Sequence, residues 1–123
     1  MSKIYRVQDA EGRGPWKPGF SQVWATDRPE SEIAKLIPIQ QDFPNLRQII
    51  ENNAGKHFGV GCTSLPQLRH WITEAEYATL LKHGYQCVSL AAEIIAMSDI
   101  QCVFCRHRPL FKNVKKVRLY GWN

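Results

Sequence analysis

"HFGVGCTSLPQLRHWI" (His57–Ile72) changes its period at a single residue. Up to Ser64, Phe58, Val60 and Cys62 alternate with Gly59 and Gly61, the two-residue repeat of a strand with one face bare of side chains. A bare face implies a bulge, or close approach of another backbone or a ligand. Ser64 followed by Gln67 is a capping box, so Ser64 ends the strand and opens a helix. Thr73 with Glu76 is a second box that restarts the helix as "EAEYATLLKHG", and Gly84 supplies the left-handed stop.

The flanking segments follow from the same signals. Residues 3–8 read as a strand in which Ile4, Arg6 and Gln8 share one face and Tyr5 and Val7 the other. Residues 9–29 hold Gly12, Gly14, Pro15, Pro18, Gly19 and Pro29 and form a long irregular loop. Its Trp16, Phe20 and Trp24 either pin the loop to the core or stack on a ligand. "PESEIAKLI" (29–37) starts with a proline and carries acids in its first turn, as a short helix should. "FPNLRQIIENNAG" (43–55) predicts a second helix with Leu46, Ile49 and Ile50 as its apolar stripe. Residues 85–91, 100–107 and 114–120 predict the remaining strands. Helices in the first and middle parts with strands clustered late point to an α+β domain with an antiparallel or mixed sheet, spanning residues 1–123 as a single unit.

The length of 123 residues suits one domain with a real core. No stretch approaches the roughly 20 apolar residues of a membrane span, and "MSKIYRVQDAEG" lacks the pattern of a secretory signal. A soluble, cytoplasmic protein is expected. The net charge of +5 is local: Arg106, Arg108, Lys112, Lys115, Lys116 and Arg118 fall in one acid-free segment, while the rest carries ten basic residues and eleven acids. Such a stripe either attracts phosphate or an acidic partner, or decorates an edge strand with solvated charge.

Four cysteines in a chain without a secretory signal are expected to be reduced. Cys102 and Cys105 form a C-x-x-C, but it lies in a strand, where positions three apart face opposite ways, and no second pair completes a zinc site. They read as small buried hydrophobes, and no metal is expected. No Walker or dinucleotide glycine loop, G-x-S-x-G or H-E-x-x-H is present. Glu74 and Glu76, two apart on a helix, diverge and make no paired-carboxylate site.

"YRVQDAEGRGPW", "FGVGCTSLPQLRHWI", "LLKHGYQCVSL" and "IQCVF" together resemble a group of small proteins of phages and mobile elements, over most of the chain. The same order is similar to a reduced ADP-ribosyltransferase fold. That resemblance implies NAD contacts from Arg6 on the first strand, and from Thr63 and Ser64 at the strand end. It puts Gln101 where the superfamily carries a glutamate. A glutamate there stabilises the cationic sugar that forms as nicotinamide leaves; Gln101 can hydrogen-bond a ribose hydroxyl but brings no charge.

Three functions follow as expectations. The first is a phage-encoded inhibitor that binds a host protein or ribonucleoprotein, such as a CRISPR effector, with no cofactor. Its anchors would be Arg13, Trp16, Trp24, Arg106, Arg108 and Trp122, aided by Lys112, Lys115, Lys116 and Arg118. The second is an NAD-dependent mono-ADP-ribosyltransferase with Arg6, Ser64 and Gln101 as its catalytic set. A third, nucleic-acid binding, would use the basic segment.

Overall fold

A computed structural model describes residues 1–122. Its organising element is strand β3 (Gln86–Met97), twelve residues long and paired differently along its two halves. The first half pairs with β1 (Ser2–Gln8), from Gln8 opposite Gln86 to Ser2 opposite Ala92. The second half pairs with β4 (Cys102–Arg106), with a register shift between Ile94 and Ala96. Such an irregularity bends a strand and increases its twist. Beyond β4 lies β2 (His57–Gly61), and a two-residue strand β5 (Lys115–Lys116) pairs with Val88 and Ser89 of β3. The sheet order is β1-β3-β4-β2, and every pairing is antiparallel.

The sheet curls until its two ends touch. Tyr5 of β1 and Cys62, just past β2, exchange backbone hydrogen bonds of 2.8 and 2.9 Å. The alternation in β1 then sorts its side chains between two cores. Ile4 packs with Val88, Leu90, Ala92, Cys102 and Phe104. Val7 faces the helices, among Leu68, Ile72, Tyr77, Leu80 and Cys87.

The helices are α1 (Ser21–Trp24), α2 (Glu30–Ile33), α3 (Ile39–Asp42), α4 (Leu46–Glu51), α5 (Leu65–Trp71) and α6 (Glu74–Lys82). The last two begin where the caps predicted. Thr73 and Glu76 form the full reciprocal box. Ser64 Oγ accepts from Gln67 N at 3.2 Å, but the Gln67 side chain accepts from Thr63 N rather than from Ser64, so this box is one-sided. Gly84, at φ 84°, ends the helix as expected.

Four segments depart from the sequence reading. The helix expected over 29–37 is only the single turn of α2, and the one over 43–55 is only α4; neither buries a residue. Without a buried face, propensity alone does not sustain a longer helix. The strand expected at 114–120 shrinks to β5, and Leu119 is buried without being in a strand. The strand expected at 85–91 runs on to Met97, because its second half finds β4 as a new partner.

The long loop before α2 is fastened by a buried ion pair, Arg28–Glu76, with both side chains almost wholly enclosed. Arg28 also donates to the carbonyls of His70 and Trp71 at 2.9 Å, satisfying the end of α5. Glu76 further accepts from Thr26 N, Thr26 Oγ1 and Thr73 N at 2.9, 3.2 and 2.8 Å. Burial pushes the Glu76 carboxyl up. The N–H groups of Thr73 and Thr26 and the Arg28 guanidinium outweigh it and hold the group below the usual carboxylate range.

Glu76 therefore contributes stability that is complete above the ordinary carboxylate pKa and is lost as pH falls through its lowered folded value. Glu76→Gln should flatten this acid limb of a pH–stability curve. Arg28→Ala, which leaves a buried carboxylate unpaired, should cost about 3–5 kcal/mol at pH 7 in urea unfolding.

Candidate functional site

Arg6 stands in the middle of β1 on the face it shares with Ile4 and Gln8, and it is 7% exposed. Its guanidinium reaches across the sheet seam from β1 to β2, beside the Tyr5–Cys62 bridge. Nη1 donates to Val60 O and Nη2 to Gly12 O, each at 3.3 Å. Nε is buried with no partner. The guanidinium carbon lies 5.7 Å from the centre of the Phe104 ring.

The bare face of β2 explains the fit. A Cβ at Gly59 would strike Arg6 Nη1 and fall 2.5 Å from Phe104 Cζ; one at Gly61 would fall 2.5 Å from Ile4 Cγ2. The glycine repeat thus receives a side chain of the protein itself. No carboxylate lies within ion-pair distance of Arg6 among the described residues. Burial pushes its pKa down to about 10, with Asp9 opposing the shift, so the group stays cationic at neutral pH.

Arg6 forms part of the wall of a cavity of about 690 Å³. The lining is mainly apolar and aromatic, with Phe58, Trp71, Leu110 and Trp16 among its walls. Trp16 stands edge-on to Trp24 and Trp71, at centroid distances of 5.4 and 5.8 Å. Trp71 is anchored by Nε1 donating to Ile100 O at 2.9 Å. Arg13 and Lys17 add cationic side chains to the lining.

Gln101 lines the same cavity. Its Nε2 donates to Ile37 O and to Asp42 Oδ2 at 2.9 and 3.0 Å, which uses both amide hydrogens. The remaining polar atom, Oε1, can only accept. Ser64 and Thr63 are not part of the lining. Ser64 Oγ caps α5, and Thr63 is exposed beside Gln67. Of the set that resemblance singled out, the fold therefore brings Arg6 and Gln101 to one cavity and leaves Ser64 and Thr63 outside it. The acids nearest Gln101 in sequence do not substitute for a glutamate: Asp99 is exposed, and Glu93 pairs with Lys56 at 3.5 Å.

Two expected partner anchors are corrected. Trp24 is buried, with Nε1 donating to Pro15 O at 3.1 Å, because it pins the loop from beneath. Arg106 is buried too, donating to the carbonyls of Pro109 and Lys112. Arg13, Trp16, Arg108, Lys112, Lys115, Lys116, Arg118 and Trp122 are exposed. Arg13 faces Asp9 and Glu11 at 3.3 and 3.1 Å, and Trp122 Nε1 donates to Glu74.

All four cysteines are free and buried. Burial pushes the thiols of Cys62 and Cys87 up to about 12 and that of Cys102 up to about 11, far from a reactive thiolate. Among the described residues no group of three or more His, Cys, Asp or Glu is placed to hold a metal ion, and no helix is long and apolar enough to cross a membrane.

The family model described as Bacteriophage T4 Y00F protein matches residues 1–118. The chain belongs to this phage protein family. No curated protein and no solved structure matches it. The family match spans every strand and helix of the fold, including β1, the glycine-faced β2 and Gln101.

The sequence reading missed Trp71 and Phe58 as cavity walls and Gly12 as a backbone ligand of Arg6. Helix position said nothing of which way Trp71 turns, while the glycine repeat of β2 did signal a close approach. Gly59→Ala should displace both the guanidinium and the Phe104 ring, costing about 1–3 kcal/mol or more in denaturant unfolding. Gly121→Ala, with nothing within 4 Å of the added carbon, is the matched control and should be neutral.

Proposed function

We propose that this phage-family protein works by binding an anionic small molecule with a planar ring, of the nucleotide class, in the Arg6 cavity. The observation that carries this is the buried Arg6 guanidinium, cationic and without a carboxylate partner, in the wall of a mainly apolar cavity. A buried charge is costly unless something compensates it, and an anionic ligand would do so. The volume of about 690 Å³ falls in the ordinary range of ligand pockets. Trp16 and Trp71 offer ring faces or edges for stacking, and Gln101 Oε1 offers an acceptor for a hydroxyl or amide N–H. NAD is the nucleotide that the ADP-ribosyltransferase resemblance names. The neutral Gln101 favours binding over glycosidic transfer, since a developing cationic sugar would find no carboxylate in the lining.

The test is calorimetry and thermal melting with NAD, ADP-ribose and ATP. At ten times Kd the ligand should add about 1.4 kcal/mol and raise Tm by roughly 5 °C. Trp16→Ala, at a half-exposed wall, should weaken binding while leaving the ligand-free Tm nearly unchanged. Absence of heat and of any melting shift with all three compounds would sink the proposal. Label transfer from NAD to a bacterial protein would instead establish the transferase.

A second function, inhibition of a host factor such as a CRISPR effector, draws support from Trp16 and Trp122, 51% and 49% exposed, since exposed tryptophans are frequent interface anchors. Pull-down from a bacterial host should then recover a specific partner that Trp16→Ala or Trp122→Ala loses. Recovery of the same proteins by both variants would count against it.

A further inference from the structure

We propose that the segment from Arg108 to Arg118 is a contact surface for single-stranded nucleic acid, with Phe111 as its stacking platform. Its cations and Phe111 lie outside the lining of the Arg6 cavity, which this segment meets only through Leu110, so the two proposals are tested with different variants.

The frame of this surface is built from beneath. Arg106 is buried and donates to Pro109 O at 2.6 Å and to Lys112 O, gripping both sides of the loop. Lys112 N closes the same turn on Pro109 O at 3.1 Å. Gln8 Nε2 reaches up from β1 to Leu110 O at 2.9 Å. Gly12 backs directly onto Leu110, where an added Cβ would fall 3.0 Å from Leu110 Cβ. Asn113, at φ 53°, then turns the chain into β5. The loop therefore presents its outer side chains from a fixed backbone, which lowers the ordering cost of binding.

On that frame Arg108, Phe111, Lys112, Lys115, Lys116 and Arg118 are exposed. None of these five cations has a carboxylate within ion-pair distance among the described residues, whereas the exposed Arg13 and Arg47 do. No acid falls between Asp99 and Arg118 in the sequence, so the stripe carries no carboxylate of its own. Phe111 is 45% exposed, and the Lys112 ammonium lies 5.8 Å from its ring centre.

A run of exposed cations with an exposed aromatic ring among them supplies the two components of sequence-tolerant single-strand binding: phosphate neutralisation and base stacking. A duplex hides its base faces, and an acidic protein surface would satisfy the cations but give an exposed phenyl ring no stacking partner. The single strand uses both.

The test is fluorescence anisotropy of the full chain with a labelled 20-nucleotide oligothymidylate at several salt concentrations. With about four phosphates neutralised, the slope of log K against log salt should be near −3, a weakening of about 50-fold between 50 and 200 mM. Lys112→Gln/Lys115→Gln/Lys116→Gln should bring the slope to about −1. Phe111→Ala should weaken binding about fivefold or more with the slope unchanged, and Trp16→Ala should leave binding as it is. No anisotropy change at 20 mM salt, a triple variant with the wild-type slope, or full affinity in Phe111→Ala would overturn the proposal. So would equal competition by poly-glutamate at matched charge, which would assign the surface to an acidic protein instead.

Discussion

The Arg6 guanidinium occupies the seam where the curled sheet comes back on itself. β1 and the end of β2 meet at the Tyr5–Cys62 bridge, and beside it the guanidinium donates to Val60 O and Gly12 O. That position is possible only because β2 turns a glycine face toward it. The same guanidinium holds Gly12 of the following loop, so one side chain joins β1, β2 and the loop that walls the cavity. It is also the buried cation of the cavity wall, to which Arg13 and Lys17 add exposed ones. Structure and candidate chemistry rest here on one buried cation, which donates two long hydrogen bonds to neutral backbone carbonyls.

A second buried arginine works in the opposite electrostatic regime. Arg28 meets a full carboxylate, Glu76, and three backbone or hydroxyl donors complete the acid's coordination. Paired and saturated, it is a fastening: it ties the loop before α2 to the start of α6 and the end of α5. Arg6 lacks such a partner. Comparison of the two within one small fold separates an arginine paired with a carboxylate from one that donates to backbone carbonyls. Arg106 is a third case, spent on the carbonyls that shape the basic loop.

Much of this was legible in the chain. The alternation around Arg6 sorted β1 between its two faces, and the Gly59–Gly61 repeat announced a close approach, though side chains of Arg6, Phe104 and Ile4 make it where a backbone, a ligand or a bulge was expected. The Ser64, Thr73 and Gly84 signals located the starts of α5 and α6 and the end of α6. Arg6 and Gln101, 95 positions apart, were paired only through resemblance, and the fold places both on one cavity. The sequence reading overestimated the early helices, because an apolar residue such as Ile50 suggests a buried stripe whether or not anything covers it; here it remains exposed. It also offered Trp24 and Arg106 as surface anchors, because residue type carries no information on which side of a loop faces the core.

Local chemistry by itself determined where strands end and helices begin, since a cap or a left-handed glycine acts within four or five residues. It also determined that the basic residues of 106–118 form one acid-free run. Only the tertiary structure decided what meets the bare face of "HFGVG", which of the arginines is neutralised, and that Ser64 spends its hydroxyl on a helix while Gln101 lines the cavity. Those outcomes depend on contacts between residues dozens of positions apart. They are set by how far the sheet curls, which follows from β3 changing partners midway and not from any one segment's own preference.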